Sequence, residues 1–283
     1  MAGNFVQLHN HTHYSLLDGA SKVPDLVKRV KELGMPAVGI TDHGNMHGAY
    51  ELWRAAVDSG VKPIIGIEAY VTPETARQDK TRVSWDTNWT PVPGHARNPD
   101  DVSGGGLITH LTMWAENDEG LVNLIKASSV ANLEGRVMRY PRMDKEVLST
   151  YSKGVIASSG CPSGIIQTRL RLGQFDEALR AAGEFQDIFG KDNFYIELMD
   201  HGLSIESKVT GDLLTIAKKL GAPLLATNDS HYVMEADKDA QDAMLCINSG
   251  ATLDDPNRFK FEGSGYYIKS AEEMRELFKD HPD

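Results

Sequence analysis

The segment ELGMPAVGI, residues 32–40, indicates the fold class most directly. A helix should end at Gly34, because glycine commonly follows the last helical residue, and the apolar run after Pro36 is typical of a buried strand. The segment KLGAPLLAT, residues 219–227, repeats this arrangement, with Gly221 and Pro223 in the corresponding places. Each segment predicts a helix followed by a strand, which is the repeating unit of an α/β fold.

The same alternation runs along most of the chain. Strands are predicted at residues 5–10, 37–41, 63–71, 107–114, 154–158, 194–199 and 223–227. Amphipathic helices are predicted at residues 22–33, 46–59, 119–131, 163–172, 174–189, 204–220 and 235–249. This alternation favours parallel strands joined by crossover helices. Because no glycine-rich phosphate loop follows any strand, a closed barrel is favoured over an open doubly wound sheet.

Composition narrows the class of protein. The chain has 283 residues, 41% of them apolar, which suits one large α/β domain or two small ones. Its net charge of -11 argues against a free-standing nucleic-acid binder, which normally carries a basic patch. Two cysteines cannot build a disulfide framework, no apolar run could span a bilayer, and no signal peptide is visible. We therefore predict a cytoplasmic protein with no membrane partner.

Two stretches depart from the alternation. Residues 72–106 show little periodicity, and we favour an excursion without a chemical role, although Trp85 and Trp89 are expected to pack back on the domain. Residues 254–283 predict a short extended piece and then a helix from Ser270, leading toward a further part of a longer chain.

Side chains that can bind metal ions follow the predicted strands. His9 and His11 alternate on the first strand, so both would point to the same face. The other candidates of this kind are Asp42, His43, Glu68, His110, Cys161, Asp200, His201, Asp229 and His231. Most come at the carboxyl end of a strand, where barrel enzymes build their active sites. The pattern therefore predicts a metal site at that end.

Several candidates have a structural alternative. We favour a helix cap for Asp42, and the same role is open for Asp200. His110 could be a core histidine whose nitrogens are hydrogen-bonded, and Cys161 could be an inert buried thiol. Burying the Glu68 carboxylate without a partner would cost free energy, which favours a metal ligand at this position. His13 is expected beyond the strand, His201 is undecided, and the helical Cys246 is expected to be inert. His47, His95 and His281 are left out because they fall in a helix, a loop and the tail.

Imidazole, carboxylate and thiolate ligands together suit Zn²⁺ best, with Mn²⁺, Fe²⁺ or Mg²⁺ as alternatives. The candidates exceed what one tetrahedral ion can use, so several ions sharing carboxylates are expected. Such clusters typically hydrolyse phosphoesters. The sequence has neither a G-x-S-x-G nor a Walker motif that would indicate a competing chemistry.

Five segments carry a resemblance to a known family: LHNHTHYSLLDGA, GITDHGNMHGAYE, PIIGIEAYV, GCPSG and LATNDSHY. They resemble the polymerase and histidinol phosphatase (PHP) domain. SLLDG, TRLRLGQFDEA, ELMDHG and DPNRFKFEGSGYYIKSAEEM are similar to the branch found in bacterial DNA polymerase III alpha subunits, especially actinobacterial ones. The resemblance covers essentially residues 1–283.

The resemblance implies a distorted seven-stranded β/α barrel of the PHP type, in which nine residues hold up to three ions. These residues are His9, His11, Asp18, His43, Glu68, His110, Cys161, Asp229 and His231. Only the resemblance brings in Asp18. In the family pattern His9, His11, Glu68 and Asp229 hold one ion. Glu68 bridges to a second ion held by His110 and Cys161, and Asp18, His43 and His231 hold the third. No position departs from a competent ligand.

The resemblance also implies an activity. We expect a proofreading 3′–5′ exonuclease domain of a replicative polymerase, in which a metal-bound hydroxide attacks the terminal phosphodiester and His11, Asp18, Glu68 and Asp229 are catalytic. Its expected partners are a DNA 3′ end, the remaining polymerase domains and replisome subunits such as the sliding clamp. Two alternatives stay open: a free-standing PHP phosphatase acting on a small monoester, and a non-catalytic scaffold.

Overall fold

The structure, a computed structural model, describes residues 5–16, 18–92 and 97–281. Its strands are β1 (Ala37–Ile40), β2 (Lys62–Val71), β3 (Thr109–Ala115), β4 (Arg142–Met143), β5 (Val155–Ser158), β6 (Phe194–Leu198) and β7 (Leu224–Ala226). Its helices are α1 (Val23–Glu32), α2 (Ala49–Ser59), α3 (Ser103–Gly106), α4 (Asp118–Glu134), α5 (Lys145–Thr150), α6 (Ile165–Arg171), α7 (Phe175–Phe189), α8 (Ser204–Leu220), α9 (Lys238–Ser249) and α10 (Ala271–Leu277). The α/β class predicted from the sequence is confirmed.

The chain folds as two compact units. The first unit contains Met1–Ile67, Met199–Leu203 and Ala226–Asp283. The second unit contains Glu68–Leu198 and Ser204–Leu225. Strand β2 supplies its first residues to the first unit and its last residues to the second.

In the first unit, β1 pairs in parallel with the first half of β2, from Ala37 opposite Lys62 to Ile40 opposite Ile65. Helix α1 buries one apolar face, formed by Val23, Leu26, Val27 and Val30. This face joins residues of β1 and α2 in a single hydrophobic core, as expected for an amphipathic helix lying against a sheet. The Ser270 hydroxyl caps α10 at the predicted helix start.

The segment that precedes β1 lies against this strand at close range. Gln7 bridges to Val38 and Asn10 bridges to Ser230, and both bridges are isolated. The regular strand predicted at residues 5–10 is therefore wrong, because this segment pairs only at single positions. Gly39 permits the approach, since a Cβ atom there would stand 2.5 Å from the carbonyl oxygen of Leu8.

In the second unit the strands follow the order β2-β3-β5-β6-β7, and β4 lies beside β2. Strands β5 and β6 are parallel, as are β2 and β4. Strands β3 and β5 are antiparallel, with Thr112 opposite Ser158 and Ala115 opposite Val155. The prediction of parallel strands throughout is wrong for this pair, because a buried apolar run does not encode strand direction. The two-residue strand β4 is also absent from the predicted set.

The described parts of residues 72–106 are folded back within the second unit. The Arg169 guanidinium lies 3.7 Å from the centre of a Trp85 ring, a cation–π contact. The Asp101 carboxylate accepts hydrogen bonds from the backbone N–H groups of Trp85 and Val102, at 3.1 and 2.7 Å. The predicted packing of Trp85 is thus confirmed. His95 lies outside the described residues.

No helix in the described ranges combines the length and the apolar character needed to cross a bilayer.

Replacing Gly39 by alanine should destabilise the chain by about 1–3 kcal/mol, because the added methyl group would collide with the Leu8 backbone. Gly183→Ala is the matched control. Gly183 lies in α7, where a Cβ atom would meet only Leu220, at 3.9 Å, so this change should be neutral or stabilising. Urea unfolding followed by circular dichroism compares the two variants. Equal midpoints for Gly39→Ala and the parent chain would contradict the predicted close approach.

Candidate metal centre

The first unit brings six of the nine predicted ligands into two groups. In the first group, His9, His11 and Asp229 place ligand atoms within 4.8 Å of one another. The Nε2 atoms of His11 and His9 lie 3.1 and 3.4 Å from Asp229 Oδ1. Both imidazoles are completely buried. Nitrogen and oxygen donors therefore converge at a site shielded from water.

Backbone hydrogen bonds hold the two chain segments of this group together. His11 N donates to Ser230 O at 2.7 Å, and Ser230 N donates to His9 O at 3.2 Å. Asp229 adopts a left-handed backbone with φ of 42°, a conformation that aspartate tolerates better than most residues. This turn at Asp229 places its carboxylate next to the side chains of His9 and His11.

The second group consists of Asp18, His43 and His231. His43 Nε2 lies 3.1 Å from Asp18 Oδ2, and His231 Nε2 lies 3.9 Å from Asp18 Oδ1. The His11 ring adjoins this group, with its centre 4.1 Å from that of His43 and 4.3 Å from that of His231. The nitrogens of these three histidines also lie within 4.8 Å of one another.

The histidines shift the acidity of both carboxylates. Burial alone would raise the pKa of Asp18, but the charge and hydrogen bond of His43 more than offset burial and lower the pKa to about 2. Burial likewise opposes ionisation of Asp229, yet His9, His231 and His11 lower its pKa below the usual range. Both groups are therefore ionised at neutral pH, the state in which a carboxylate binds a cation.

The other three predicted ligands form a group in the second unit. His110 Nδ1 lies 3.1 Å from Glu68 Oε1, and Cys161 Sγ lies 3.4 Å from the same nitrogen. Glu68 is fully buried on β2, His110 lies on β3, and Cys161 follows β5. Neighbouring strands of the sheet thus supply a carboxylate, an imidazole and a thiol to one place.

The donors suit a divalent transition metal. Imidazole, carboxylate and thiolate are the ligands that Zn²⁺ binds in proteins. Asp18 Oδ1 is buried and accepts no hydrogen bond from the described residues, although a carboxylate oxygen in such a position normally needs a partner. A cation is one partner that would satisfy it. The residues present therefore fit the predicted metal.

Asp42 does not have the role that the sequence favoured. Helix α2 begins after Gly48 without a side-chain cap, so Asp42 is not its N-cap. The Asp42 carboxylate instead accepts hydrogen bonds from Thr12 N at 2.7 Å and from Ser15 Oγ at 2.7 Å. Burial raises the pKa of Asp42, whereas these hydrogen bonds act in the opposite direction. The prediction failed because the nearest donors are distant in sequence.

The structure also gives positions for the histidines outside the predicted set. His201, left undecided by the sequence, contacts Asn228 O through Nε2 at 2.9 Å and stacks on Tyr266. His13 is 39% exposed at its side chain and lies 3.9 Å from Glu51. Neither residue belongs to a group described above. His47 is exposed.

Ser15 and Gln241 contact the ligand groups but were not among the predicted residues. Ser15 Oγ lies 2.9 Å from His11 Nδ1, and Gln241 Nε2 donates to Asp18 O at 3.1 Å. The position of Ser15, four residues after His11, was the only available signal. Nothing near Gln241 in the sequence points to Asp18, because the two residues are 223 positions apart.

Comparison with known proteins gives the class. The PHP domain profile matches residues 7–201, which include residues of both units. Seven of the nine predicted ligands lie in this range, and Asp229 and His231 lie beyond it. The chain belongs to the PHP domain family.

Similarity to individual proteins narrows the branch of the family. The chain is 53% identical over 277 residues to DNA polymerase III subunit alpha of Mycobacterium leprae, covering 98% of this chain and 23% of the relative. It is 54% identical over 274 residues to the same subunit of Saccharopolyspora erythraea, with 97% and 23% covered. For Borreliella burgdorferi the identity is 41% over 279 residues, with 99% and 22% covered. The chain thus spans under a quarter of the length of these relatives.

Replacing His43 by alanine should reduce the zinc content of the purified chain by about one ion, because the Asp18 group would lose an imidazole ligand. His47→Ala is the control, since His47 is exposed and four residues further along the same segment. Elemental analysis after gel filtration measures the bound zinc. If both variants carry as much zinc as the parent chain, His43 is not a ligand.

Proposed function

We propose that the chain is a metal-dependent 3′–5′ exonuclease domain that proofreads for a replicative DNA polymerase of the polymerase III alpha type. The observation that carries this proposal is the presence of three groups of buried and partly buried side chains of metal-ligand type in a PHP domain. The similarity to DNA polymerase III alpha subunits supports the choice of substrate. We assign residues 1–283 to one PHP domain.

In this proposal each of the three groups binds its own metal ion. His9, His11 and Asp229 would hold one zinc ion, Asp18, His43 and His231 would hold another, and Glu68, His110 and Cys161 would hold a third. When bound, these ions would make a water molecule acidic and offset the charge of the phosphodiester. Mn²⁺, Fe²⁺ or Mg²⁺ could replace zinc with the same ligands.

The side chains contribute in two ways. The ionised Asp18 and Asp229 supply negative charge that holds cations, and His11, which adjoins both groups of the first unit, keeps their ligand atoms close. Complete burial of Glu68 keeps its carboxylate away from bulk water, where its attraction for a cation would be weaker. Together with His11, these carboxylates are the residues to which we assign catalysis.

The charge of the chain bears on how it meets DNA. A net charge of -11 disfavours binding to a polyanion, so the strand end should be delivered by other polymerase domains. Those domains, the DNA 3′ end and replisome subunits such as the sliding clamp are the proposed partners. The proposed location is the cytoplasm, where a bacterial replisome acts.

The substrate test compares a single-stranded oligonucleotide labelled at its 5′ end with histidinol phosphate, using the same zinc-loaded or manganese-loaded chain. We expect stepwise loss of nucleotides from the 3′ end, slow and steeply weakened by salt because the chain is acidic. Rapid hydrolysis of the monoester with an intact oligonucleotide would replace this proposal by a small-molecule phosphatase. No hydrolysis of either substrate, by a chain with full metal content, would favour a scaffold.

Two variants connect the activity to the site. Asp229→Asn and His11→Ala should each abolish cleavage while the fold is kept, because loss of a direct ligand should cost more than the about 10–100-fold known for indirect contacts. Asp200→Asn is the matched control, since Asp200 accepts a hydrogen bond from Gly202 N and lies outside the ligand groups. Cleavage by Asp229→Asn at the parental rate would remove Asp229 from the mechanism.

Metal removal should also change stability. The purified chain is expected to retain about two to three divalent ions, and a chelator should lower its melting temperature by several degrees, because ions bound only to the folded state stabilise it by mass action. Differential scanning calorimetry with and without chelator, followed by restoration with Zn²⁺, measures the effect. An unchanged melting curve in chain shown to be metal-free would mean that the ions do not support the fold.

A further inference from the structure

The Ser15 hydroxyl in the first unit has three polar neighbours and lies at the centre of a compact network. Its Oγ atom lies 2.7 Å from Asp42 Oδ1, 2.9 Å from His11 Nδ1 and 3.1 Å from the backbone nitrogen of His43. Ser15 is 1% exposed, so water does not compete for these contacts. A serine hydroxyl offers one proton and two lone pairs, which is the number of contacts observed.

Two of the three contacts have a fixed direction. The backbone N–H of His43 can only donate, so it takes one lone pair of the Ser15 oxygen. Asp42 Oδ1 already accepts a hydrogen bond from Thr12 N at 2.7 Å, and the Thr12 hydroxyl donates to Asp42 Oδ2 at 2.8 Å. Because Asp42 Oδ1 is an acceptor, the Ser15 proton must point toward it.

Only the second lone pair of Ser15 then remains for His11 Nδ1. That nitrogen must donate, so it must carry a proton. In a neutral imidazole the other nitrogen, Nε2, is then left with a lone pair. His11 Nε2 is the atom that lies 3.1 Å from Asp229 Oδ1, in the group with His9.

We propose that Ser15 and Asp42 are positioning residues, which hold His11 in the tautomer with a proton on Nδ1 and thereby present Nε2 as its ligand atom. The consequence for metal binding rests on the proposed function. The assignment of the tautomer rests on the hydrogen bonds alone. Carboxylates often orient a ligating histidine directly, whereas here the serine hydroxyl lies between the carboxylate and the imidazole.

The same hydroxyl also ties His11 to the segment after β1. The N–H group of His43 donates to Ser15, and the Asp42 side chain comes from the adjacent residue. The Ser15 oxygen therefore joins residues 42–43 to residues 11–15, in addition to the hydrogen bonds between Thr12 and Asp42. Loss of that oxygen should disturb two ligand residues, His11 and His43, without removing either.

The test uses the 283-residue chain labelled with ¹⁵N in its histidines. Ring-nitrogen shifts are recorded for the metal-free chain at alkaline pH, and the His11 signals are assigned by their loss in His11→Ala. We expect a protonated Nδ1 for His11 in the parent chain, as the Ser15 hydrogen bonds require. In Ser15→Ala we expect the tautomer with a protonated Nε2 to appear, and zinc affinity measured with a competing chelator to fall by about 10–100-fold.

Conservative and control variants separate positioning from general damage. Asp42→Asn can still accept the hydrogen bond of the Ser15 hydroxyl through its amide oxygen, so it should keep the parental tautomer, whereas Asp42→Ala should not. Ser21→Ala is the matched control, because Ser21 is buried in the same unit and its Oγ makes no hydrogen bond within the described residues. Far-ultraviolet circular dichroism confirms that each variant is folded.

The outcomes distinguish this inference from the proposed function. A parental His11 with its proton on Nε2, or a Ser15→Ala chain that keeps both tautomer and zinc affinity, would overturn the inference. A parental His11 with its proton on Nδ1, in a chain that binds no zinc or cleaves no DNA, would support the inference and contradict the proposed function. If Ser15→Ala does not fold, the tautomer of His11 in the parent chain and its difference between Asp42→Asn and Asp42→Ala still test the inference.

Discussion

The hydrogen bonds to the buried carboxylate of Asp42 are the interaction on which the ligand groups of the first unit depend. Burying a carboxylate is costly unless several donors surround it, and Thr12 and Ser15 supply these donors. The carboxylate thereby joins the segment that follows β1 to the irregular segment that carries His9 and His11. The histidine segment is held in addition by isolated bridges and by backbone hydrogen bonds, such as that from Thr41 N to Asn10 O at 2.9 Å.

Electrostatics explains why the ligand groups contain both acids and imidazoles. Two carboxylates of the first unit, Asp18 and Asp229, are largely shielded from water, and each has histidine nitrogens within 4 Å. These histidines lower the pKa of both acids despite burial, so the acids remain ionised over the neutral range. The arrangement is stable only if positive charge is present, from protonated imidazoles or from bound cations. Replacing protons by metal ions therefore fits the same set of side chains.

In the sheet, the pattern of apolar residues predicts where strands lie but not the direction in which they pair. Strands β3 and β5 were each located by an apolar run, but their antiparallel pairing was not. Strand direction depends on how the intervening segments cross the sheet, and apolar runs are similar in both directions. The segment at residues 5–10 shows the related problem, since its residues alternate like a strand yet pair only at Gln7 and Asn10. This segment can lie beside β1 because Gly39 has no Cβ atom, which would collide with the Leu8 backbone.

By itself, the sequence determined the α/β class, the membership of a family and the residue types of the candidate ligands. These properties follow from local periodicity, from glycine and proline at helix ends, and from motifs a few residues long. Only the tertiary structure decided that Asp42 accepts hydrogen bonds from Thr12 and Ser15 instead of capping a helix, and that His201 stacks on Tyr266. It also decided that Gln241 reaches Asp18. The physical reason is that a hydrogen bond depends on the distance and direction between two groups in space. Here the two partners are far apart in the sequence, and their separation along the chain does not predict that they meet.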